Sequence, residues 1–330
     1  MKTTLFFIHF LIFSTALFSS EIKIGIVGLD TSHVIAFTQL LNDTNNPKHI
    51  PGARVVCAFK GGSSEIEAST TRIENFTKQM REKFDITIVS TIDELCKQVD
   101  VVMIESVDGR KHLEQTIPVF AHKKPMFIDK PLAGSLRDAL EIWRLSKKHS
   151  VPVFSSSAYR FYESLMEVKT NDFGEIRTVI SWGPAALEPH HPDLFWYGIH
   201  PTEALFTVLG RGCVAVSRIA TKNSDIVSAE WTNSRTATLI GLRESTTGHR
   251  VIVLGSKGIA EQKGSGDYAP LVREIVKFFQ TGKPPVSLEE TVEIIAFMES
   301  ADESKRQNGA KVSIKDVLLK NGGEDFLLSK

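Results

Sequence analysis

The sequence predicts an α/β protein with an N-terminal Rossmann-type parallel sheet and a C-terminal α/β domain built on an open, largely antiparallel sheet. From residue 22 to about 157, unbroken Val/Ile-rich runs alternate with stretches of helical period, the pattern of a parallel sheet covered on both faces. In the second half, β-rich runs follow one another mostly without intervening helices, which favours antiparallel pairing. The length of 330 residues also exceeds one ordinary core. The predicted order is a signal peptide at 1–20, a Rossmann dinucleotide-binding-like domain at 21–157, and a substrate and oligomerisation domain at 158–330.

Each predicted element rests on a local pattern. Apolar runs of strand length predict first-domain strands at 22–28, 53–59, 86–90, 99–106, 126–128 and 151–155. Helical spacing between them predicts helices at 34–41, 65–84, 111–122 and 135–149, the last beginning near a capping box at Ser135. The second domain is predicted to contain strands at 176–182, 214–221, 228–231, 236–242 and 250–255. Helices at 268–280 and 288–309 follow, and the Gly/Pro-rich segment 282–285 ends the first of them.

The first twenty residues predict export. Lys2 precedes an apolar run from Leu5 to Phe18, which is too short for an ordinary membrane span and is followed by two serines, the three-part pattern of a secretory signal peptide. Leu17 and Phe18 occupy positions where cleavage needs a small residue, so an uncleaved segment that anchors the protein in a membrane is the alternative. The expected location is periplasmic or extracellular.

Composition narrows the class of function. Lys+Arg and Asp+Glu number 39 each, so no net field attracts nucleic acid, and we expect no nucleic-acid partner. The three cysteines predict buried core thiols, not a disulfide framework. No Cys/His spacing matches a zinc site, and the adjacent His190 and His191 would point to opposite faces of an extended segment. We therefore predict no metal.

The segment Met126 to Pro131 carries the most informative local signal. An apolar strand delivers Asp129 and Lys130 to a proline, which lacks an N–H and ends strand pairing. Lys130 should therefore lie at the carboxyl end of a strand, where open α/β sheets place their ligands. A lysine there can donate a hydrogen bond to a substrate hydroxyl and take part in proton transfer. A surface Asp-Lys-Pro turn is the structural alternative.

The order of segments resembles the Gfo/Idh/MocA family, named for glucose-fructose oxidoreductase and inositol 2-dehydrogenase. The similarity extends over about 22–313; its strongest pieces are 99–104 with His112 after it and 124–133, and 198–203 follows further along. The second piece looks like the family's Glu-Lys-Pro motif with Asp129 in place of glutamate. The resemblance implies a nicotinamide-binding Rossmann domain, NAD or NADP as cofactor, a small carbohydrate-like substrate, and a homo-oligomer.

Two loops depart from the family pattern. After the first strand, Gly28-Leu29-Asp30-Thr31-Ser32-His33 keeps only the first glycine of the expected Gly-x-Gly-x-x-Gly. Asp30 places a carboxylate where phosphates should lie, or else caps the following helix. After the second strand, Lys60 replaces the usual acid, and this loop either accepts a 2′-phosphate or is a surface loop. We expect the cofactor to contact Gly28, Asp30, Ser32, Lys60, Glu105, Ser106, Asp108, His112 and Asp129.

A second motif supplies the predicted acid/base group. If the segment after Gly198 is helical, His200 and Glu203 share a face, and a histidine suits the removal of a hydroxyl proton as hydride leaves. Trp196 stands where the family commonly places an aspartate, so Asp193 or Glu203 is expected to orient His200. The predicted catalytic residues are Lys130, His200, Glu203 and Asp193. Phe195, Trp196 and Tyr197 form either an apolar platform for a sugar ring or part of the core.

Three functions are compatible with these observations. The first is an exported NAD(P)-dependent oxidoreductase that acts on a sugar, cyclitol or related polyol. The second, which some members of the family resemble, is an NAD-dependent glycosidase without net redox change. The third is an exported carbohydrate-binding protein that has lost the cofactor, because the leader lacks a twin-arginine pair and would carry unfolded chain away from the cytoplasm.

Overall fold

The computed structural model describes residues 21–244 and 247–329, so the predicted signal peptide at 1–20 lies outside the described residues. The first domain contains a six-stranded parallel sheet of order β3-β2-β1-β4-β5-β6. Its strands are β1 (Ile22–Val27), β2 (Ala53–Phe59), β3 (Thr87–Val89), β4 (Val101–Ile104), β5 (Met126–Ile128) and β6 (Val153–Ser155). This order reverses direction between β1 and β4, the point at which doubly wound folds bind ligands.

Six helices connect these strands. They are α1 (Ser32–Asn42), α2 (Glu67–Thr70), α3 (Ile73–Phe84), α4 (Ile92–Cys96), α5 (His112–Ala121) and α6 (Leu136–His149). The single helix predicted at 65–84 is instead two, because Ser69 at the end of α2 bonds to Asp30 and to the backbone of Ser63. These contacts hold α2 against the loops after β1 and β2, and α3 begins separately at Ile73. Helix α6 begins as predicted, with the Ser135 side chain accepting a hydrogen bond from the Asp138 N–H.

The second domain is built on a seven-stranded sheet of order β12-β11-β7-β10-β9-β8-β13. Its strands are β7 (Ile176–Pro184), β8 (Cys213–Ala220), β9 (Ser224–Trp231), β10 (Arg235–Leu242), β11 (Arg250–Gly255), β12 (Ile259–Glu261) and β13 (Val312–Ser313). Among the described strand pairs of this second sheet, β7–β10 is parallel and the others are antiparallel. The predicted fold class, a parallel Rossmann-type sheet followed by a largely antiparallel one, is therefore confirmed.

Helices of the second domain also complete the first domain. They are α7 (Glu163–Thr170), α8 (Asp193–Trp196), α9 (Ile199–Leu209), α10 (Ala269–Thr281), α11 (Leu288–Arg306), α12 (Ile314–Lys320) and α13 (Glu324–Leu328). Helix α11 is buried almost all round because it lies between β8 and α6. Helix α10 packs its apolar face on α1, so the two domains share continuous cores. Within the described residues, no helix is both long and apolar enough to cross a membrane.

The described residues include buried thiols and a buried arginine that is paired with carboxylates. All three cysteines are buried free thiols. Arg218 on β8 is fully buried, and its guanidinium donates to Asp225 at 2.8 Å, to Asp193 at 3.1 Å, and to Asp302. Buried carboxylates are tolerated only when paired in this way. This cluster fixes α8 and α11 against the second sheet.

Candidate active site

A cavity of about 520 Å³ lies at the carboxyl edge of the first sheet, where the second domain covers it. Such a position, beside the reversal between β1 and β4, is where open α/β sheets bind their ligands. Side chains from both domains line it, among them Thr31, Ser32, His33, Arg72, Lys130, Ser157, Trp196, Tyr197, His200 and His249.

Lys130 lies at the carboxyl end of β5, as its place before a proline predicts. Its Nζ atom lies 5.5 Å from the centre of the Tyr197 ring, and its backbone N–H donates to Asp129 Oδ1 at 2.8 Å. Within the described chain its ammonium forms no ion pair. Unlike a surface turn, this lysine therefore presents its charge to a cavity, where it can meet a substrate oxygen.

His200 is the second residue of α9 and faces the same cavity. Its Nδ1 lies 2.8 Å from the Ser157 Oγ, and its ring packs 5.3 Å from that of His249. Burial, together with the positive charge of Lys130, holds the pKa of His200 well below its ordinary value of 6.5. The imidazole is therefore neutral at pH 7 and able to accept a proton.

The residues expected to orient His200 have other partners. Glu203 is buried and accepts hydrogen bonds from Ser156 at 3.0 Å and from Arg160. Asp193 belongs to the Arg218 cluster and also pairs with Lys305. Both carboxylates balance buried or half-buried cations, and for this reason their side chains point toward those cations and not toward His200. Ser157 takes their place as the residue that orients His200. The run of three serines at the carboxyl end of β6 was the sequence signal for it.

Asp30 neither caps α1 nor faces the cavity, which corrects both expectations for this residue. The cap of α1 is Thr31, whose side chain accepts from the His33 N–H. Asp30 is fully buried and accepts hydrogen bonds from the Val107 N–H at 2.9 Å and the Ser69 hydroxyl at 2.7 Å. It ties the loop after β1 to the loop after β4 and to α2.

We expect Asp30→Ala to destabilise the protein by about 1–3 kcal/mol, because it leaves the Val107 N–H and the Ser69 hydroxyl buried without their acceptor. Urea denaturation of the wild type and the variant measures this difference. Glu82→Ala, an exposed change on α3, is the control and should remain within about 0.5 kcal/mol. Equal stability of both variants would show that the Asp30 contacts contribute nothing.

Gly28 is required by the packing of the chain on itself. Its φ is +90°, and a Cβ there would lie 2.6 Å from the Ser106 backbone nitrogen. A Cβ on Gly61 would lie 3.2 Å from the Gly28 Cα, and the Ser63 hydroxyl donates to Asp108 at 2.8 Å. The segment after β2 therefore crosses the sheet edge over Gly28 and reaches the loop after β4.

Three further residues predicted to contact the cofactor are engaged elsewhere. Lys60 pairs with Glu74 at 2.5 Å on the surface. His112 is fully buried, and its ring nitrogens lie 2.8 Å from the Ser106 carbonyl oxygen and 3.0 Å from that of Pro131. Asp108 binds Ser63, Arg110 and His191. Hydrogen bonds from His191 and Arg110 outweigh the effect of its burial and lower the pKa of Asp108. Of the nine residues predicted to contact a cofactor, Ser32 is the one that lines the cavity.

Asp129 and Glu105 lie beside the cavity residues His33 and Lys130. Asp129 accepts a hydrogen bond from the Lys130 N–H and lies 2.7 Å from His33 Nδ1. Burial opposes its charge, but His33 and Lys130 hold the pKa of Asp129 below its ordinary value. Glu105 follows β4 and is fully buried. Burial and the neighbouring Asp129 raise the pKa of Glu105 well above its ordinary value.

The cavity residues fit the diphosphate of a dinucleotide at one end. Ser32 begins the 11-residue helix α1, whose first N–H groups and positive dipole end attract phosphate, and the exposed Arg72 also lines the cavity. Thr31, Ser32 and Arg72 would therefore hold that group. At Gly28, by contrast, the sheet edge is covered by Gly61. The loop after β2 therefore does not offer the usual site for the ribose of a dinucleotide.

Comparisons with known proteins agree with this architecture. Residues 22–157 match the family model GFO_IDH_MocA, described as "Oxidoreductase family, NAD-binding Rossmann fold". A comparison with curated proteins found no match.

Similar solved structures cover both domains. A probable dehydrogenase from Thermotoga maritima is 18% identical with a TM-score of 0.73, over 89% of this chain and 99% of that one. The scyllo-inositol dehydrogenase from Lactobacillus casei, solved with NAD(H) and scyllo-inositol, is 15% identical with a TM-score of 0.73, over 89% and 99%. An oxidoreductase from Agrobacterium radiobacter, solved with NAD+, L-tartaric acid and magnesium, is 15% identical with a TM-score of 0.72, over 91% and 100%. Likeness at these identities establishes the shared fold. The N-terminal domain therefore matches the Gfo/Idh/MocA family model, that of an oxidoreductase family with an NAD-binding Rossmann fold, as the motifs of the sequence predict.

Proposed function

We propose that this protein is an NAD(P)-dependent oxidoreductase that acts on a hydroxyl group of a sugar, cyclitol or related polyol. The observation that carries the proposal is one cavity lined by the Lys130 ammonium, which forms no ion pair among the described residues, by a neutral His200 and by the start of α1. The Lactobacillus casei structure that shares this fold contains an inositol, which supports a polyol as the substrate class.

The two side chains have complementary tasks in such a reaction. A bound nicotinamide would supply the hydride acceptor for the carbon that carries the reacting hydroxyl. Lys130 donates a hydrogen bond to the hydroxyl oxygen and stabilises the negative charge that develops on it. His200 takes the hydroxyl proton, so that the substrate leaves as a carbonyl compound. Ser157 fixes the His200 ring, and the faces of Trp196 and Tyr197 offer apolar surface to a sugar ring.

The proposal is tested by incubating protein that begins at residue 21 with a panel of sugars, cyclitols and polyols and with NAD+ or NADP+. We expect an increase in reduced nicotinamide absorbance with at least one of these substrates. No reduction of either nucleotide across a panel that includes scyllo-inositol and myo-inositol would contradict the proposal. The same panel decides between NAD+ and NADP+.

The pH dependence of turnover identifies His200. Its neutral form is the base, and because its pKa lies below 6.5, that form persists as the pH falls through 6.5. We expect kcat/KM for alcohol oxidation to stay level through pH 6.5 and to fall only at lower pH. His200→Gln should lower kcat by about 10²–10⁴-fold. A half-maximal rate at or above pH 6.5, or a fully active variant, would remove His200 from the mechanism.

Export and self-association are also part of the proposal. The leader pattern at 1–20 supports a periplasmic or extracellular location, with membrane anchoring if the leader is retained.

Strands β8 and β9 expose Val214, Ile219 and Ile226 on one face of the second sheet, which supports a homo-oligomer through that face. Cell fractionation of the full chain and light scattering of the protein without its leader test these two points.

A second function is favoured by the covered edge of the first sheet. Gly61 lies on Gly28 and Ser63 binds Asp108, so the segment after β2 covers the one glycine that is retained from the dinucleotide-binding loop. An exported carbohydrate-binding protein that has lost the cofactor would show this arrangement. It would bind a sugar in the complete absence of nucleotide, and neither NAD(H) nor NADP(H) would bind or change that affinity.

A further inference from the structure

Three side chains from separate parts of the chain converge beside the cavity. His33 lies in the first turn of α1, Glu105 follows β4, and Asp129 follows β5. They meet because β1, β4 and β5 are neighbouring parallel strands whose carboxyl ends share one edge. One imidazole nitrogen and one oxygen from each carboxylate all lie within 4.8 Å of one another.

Glu105 is the member of this cluster that its surroundings leave unexplained. It is fully buried, and neither of its carboxylate oxygens has a hydrogen-bond partner among the described residues. Buried carboxylates are otherwise paired or bound to a metal, because an unpaired one costs several kcal/mol. The second carboxylate, Asp129, increases the negative charge at the same point. A proton or a cation must therefore compensate Glu105.

The donor set favours a transition-metal ion over the harder alkaline-earth ions. One imidazole nitrogen with two carboxylate oxygens suits ions such as Zn²⁺ and Mn²⁺, whereas Ca²⁺ takes six or more oxygen ligands and Mg²⁺ keeps several waters. Ligand atoms bound at about 2.1 Å lie about 3.4 Å apart in a tetrahedral site and up to about 4.2 Å apart when they are trans. The atoms of this cluster, which lie within 4.8 Å of one another, therefore need to approach by up to about 1.4 Å, a change that side-chain rotation can supply. We propose that His33, Glu105 and Asp129 form a binding site for one divalent transition-metal ion.

The position of the ion indicates what it can do. Three protein ligands leave at least one coordination position free for water or for a substrate oxygen. His33 lines the cavity and 12% of its side chain is exposed, whereas Glu105 is fully buried, so the free position faces the cavity. Lys130 adds a positive charge nearby, which the two carboxylates outweigh. Binding of a substrate oxygen at this position rests on the proposed function. Binding of the metal ion does not.

The experiment is a calorimetric titration of chelator-treated protein that begins at residue 21, with ZnCl₂ and separately with MnCl₂, without nucleotide or sugar. We expect about one ion per chain, and about 10-fold or greater weakening in Glu105→Gln, since even outer partners of metal ligands cost about 10–100-fold when changed. Glu67→Gln removes a carboxylate from the same cavity outside the cluster and should bind as the wild type does.

The decisive outcomes are separate from those of the nucleotide assays. Wild-type protein that binds neither ion, or Glu105→Gln that binds as tightly as the wild type, would overturn the proposal. Thermal melting without metal checks the fold of the variant, which should be at least as stable because an amide replaces an unpartnered carboxylate. If the variant fails to fold, the metal content of native wild-type protein decides. Nucleotide titration in the presence of chelator tests the proposed function without the ion.

Discussion

Lys130→Met is expected to lower turnover by about two or more orders of magnitude while leaving the fold intact. The change keeps an unbranched apolar stem, so the packing of that stem is retained. It removes the ammonium that faces the cavity and forms no ion pair within the described chain. The expected loss is that of a polarising or acid/base group. Steady-state kinetics with the best substrate of the panel, beside a melting curve, measures both effects.

The matched control is Lys78→Met, an exposed lysine on α3 far from the cavity. Its turnover should stay within about 2-fold of the wild type, because surface changes away from a site have small effects. Wild-type turnover in Lys130→Met would mean that the lysine has no part in the reaction. A melting temperature lowered far below that of Lys78→Met would mean that its role is structural.

Arg218→Met is expected to be strongly destabilising, with a loss of about 3–5 kcal/mol in the free energy of unfolding. Arg218 is fully buried, and its guanidinium compensates Asp193, Asp225 and Asp302. Removing the cation leaves these carboxylates with too little positive charge around them. Helices α8 and α11, which carry two of these carboxylates, should then loosen from the second sheet.

Urea denaturation followed by circular dichroism measures this loss. Arg177→Met, which breaks an exposed pair with Glu175 at 3.2 Å, is the control and should cost less than about 1 kcal/mol. Similar stability in the two variants would show that the carboxylates around Arg218 are neutralised in another way, for example by protonation of Asp302, whose pKa burial raises to about 7.

Local patterns were sufficient for the fold and for the position of two site residues. Strand runs ending at a proline or a polar loop placed Lys130 at the carboxyl end of β5, because strand pairing cannot continue through Pro131. The helical spacing after Gly198 placed His200 in the first turn of α9. These inferences need only the periodicity of the chain and the geometry of a parallel sheet.

Contacts between distant segments account for what the sequence did not predict. Asp30 faces Ser69 and Val107, and Gly28 packs against Gly61, through a path of the segment after β2 that no local spacing encodes. The partners of Asp193 and Glu203 were equally hidden, since Arg218 and Arg160 reach them from other elements. Long-range ion pairs and loop crossings are set by tertiary packing, which composition and periodicity do not reveal.

The central claim is that this cavity holds a nicotinamide nucleotide beside Lys130. The most direct measurement is titration of the protein that begins at residue 21 with NADH and with NADPH, followed by nicotinamide fluorescence. We expect saturable binding of at least one nucleotide, weakened by Arg72→Met, which lines the cavity just before α3, and unchanged by Lys78→Met. Absence of binding by both nucleotides at millimolar concentration would contradict it and would favour the carbohydrate-binding protein.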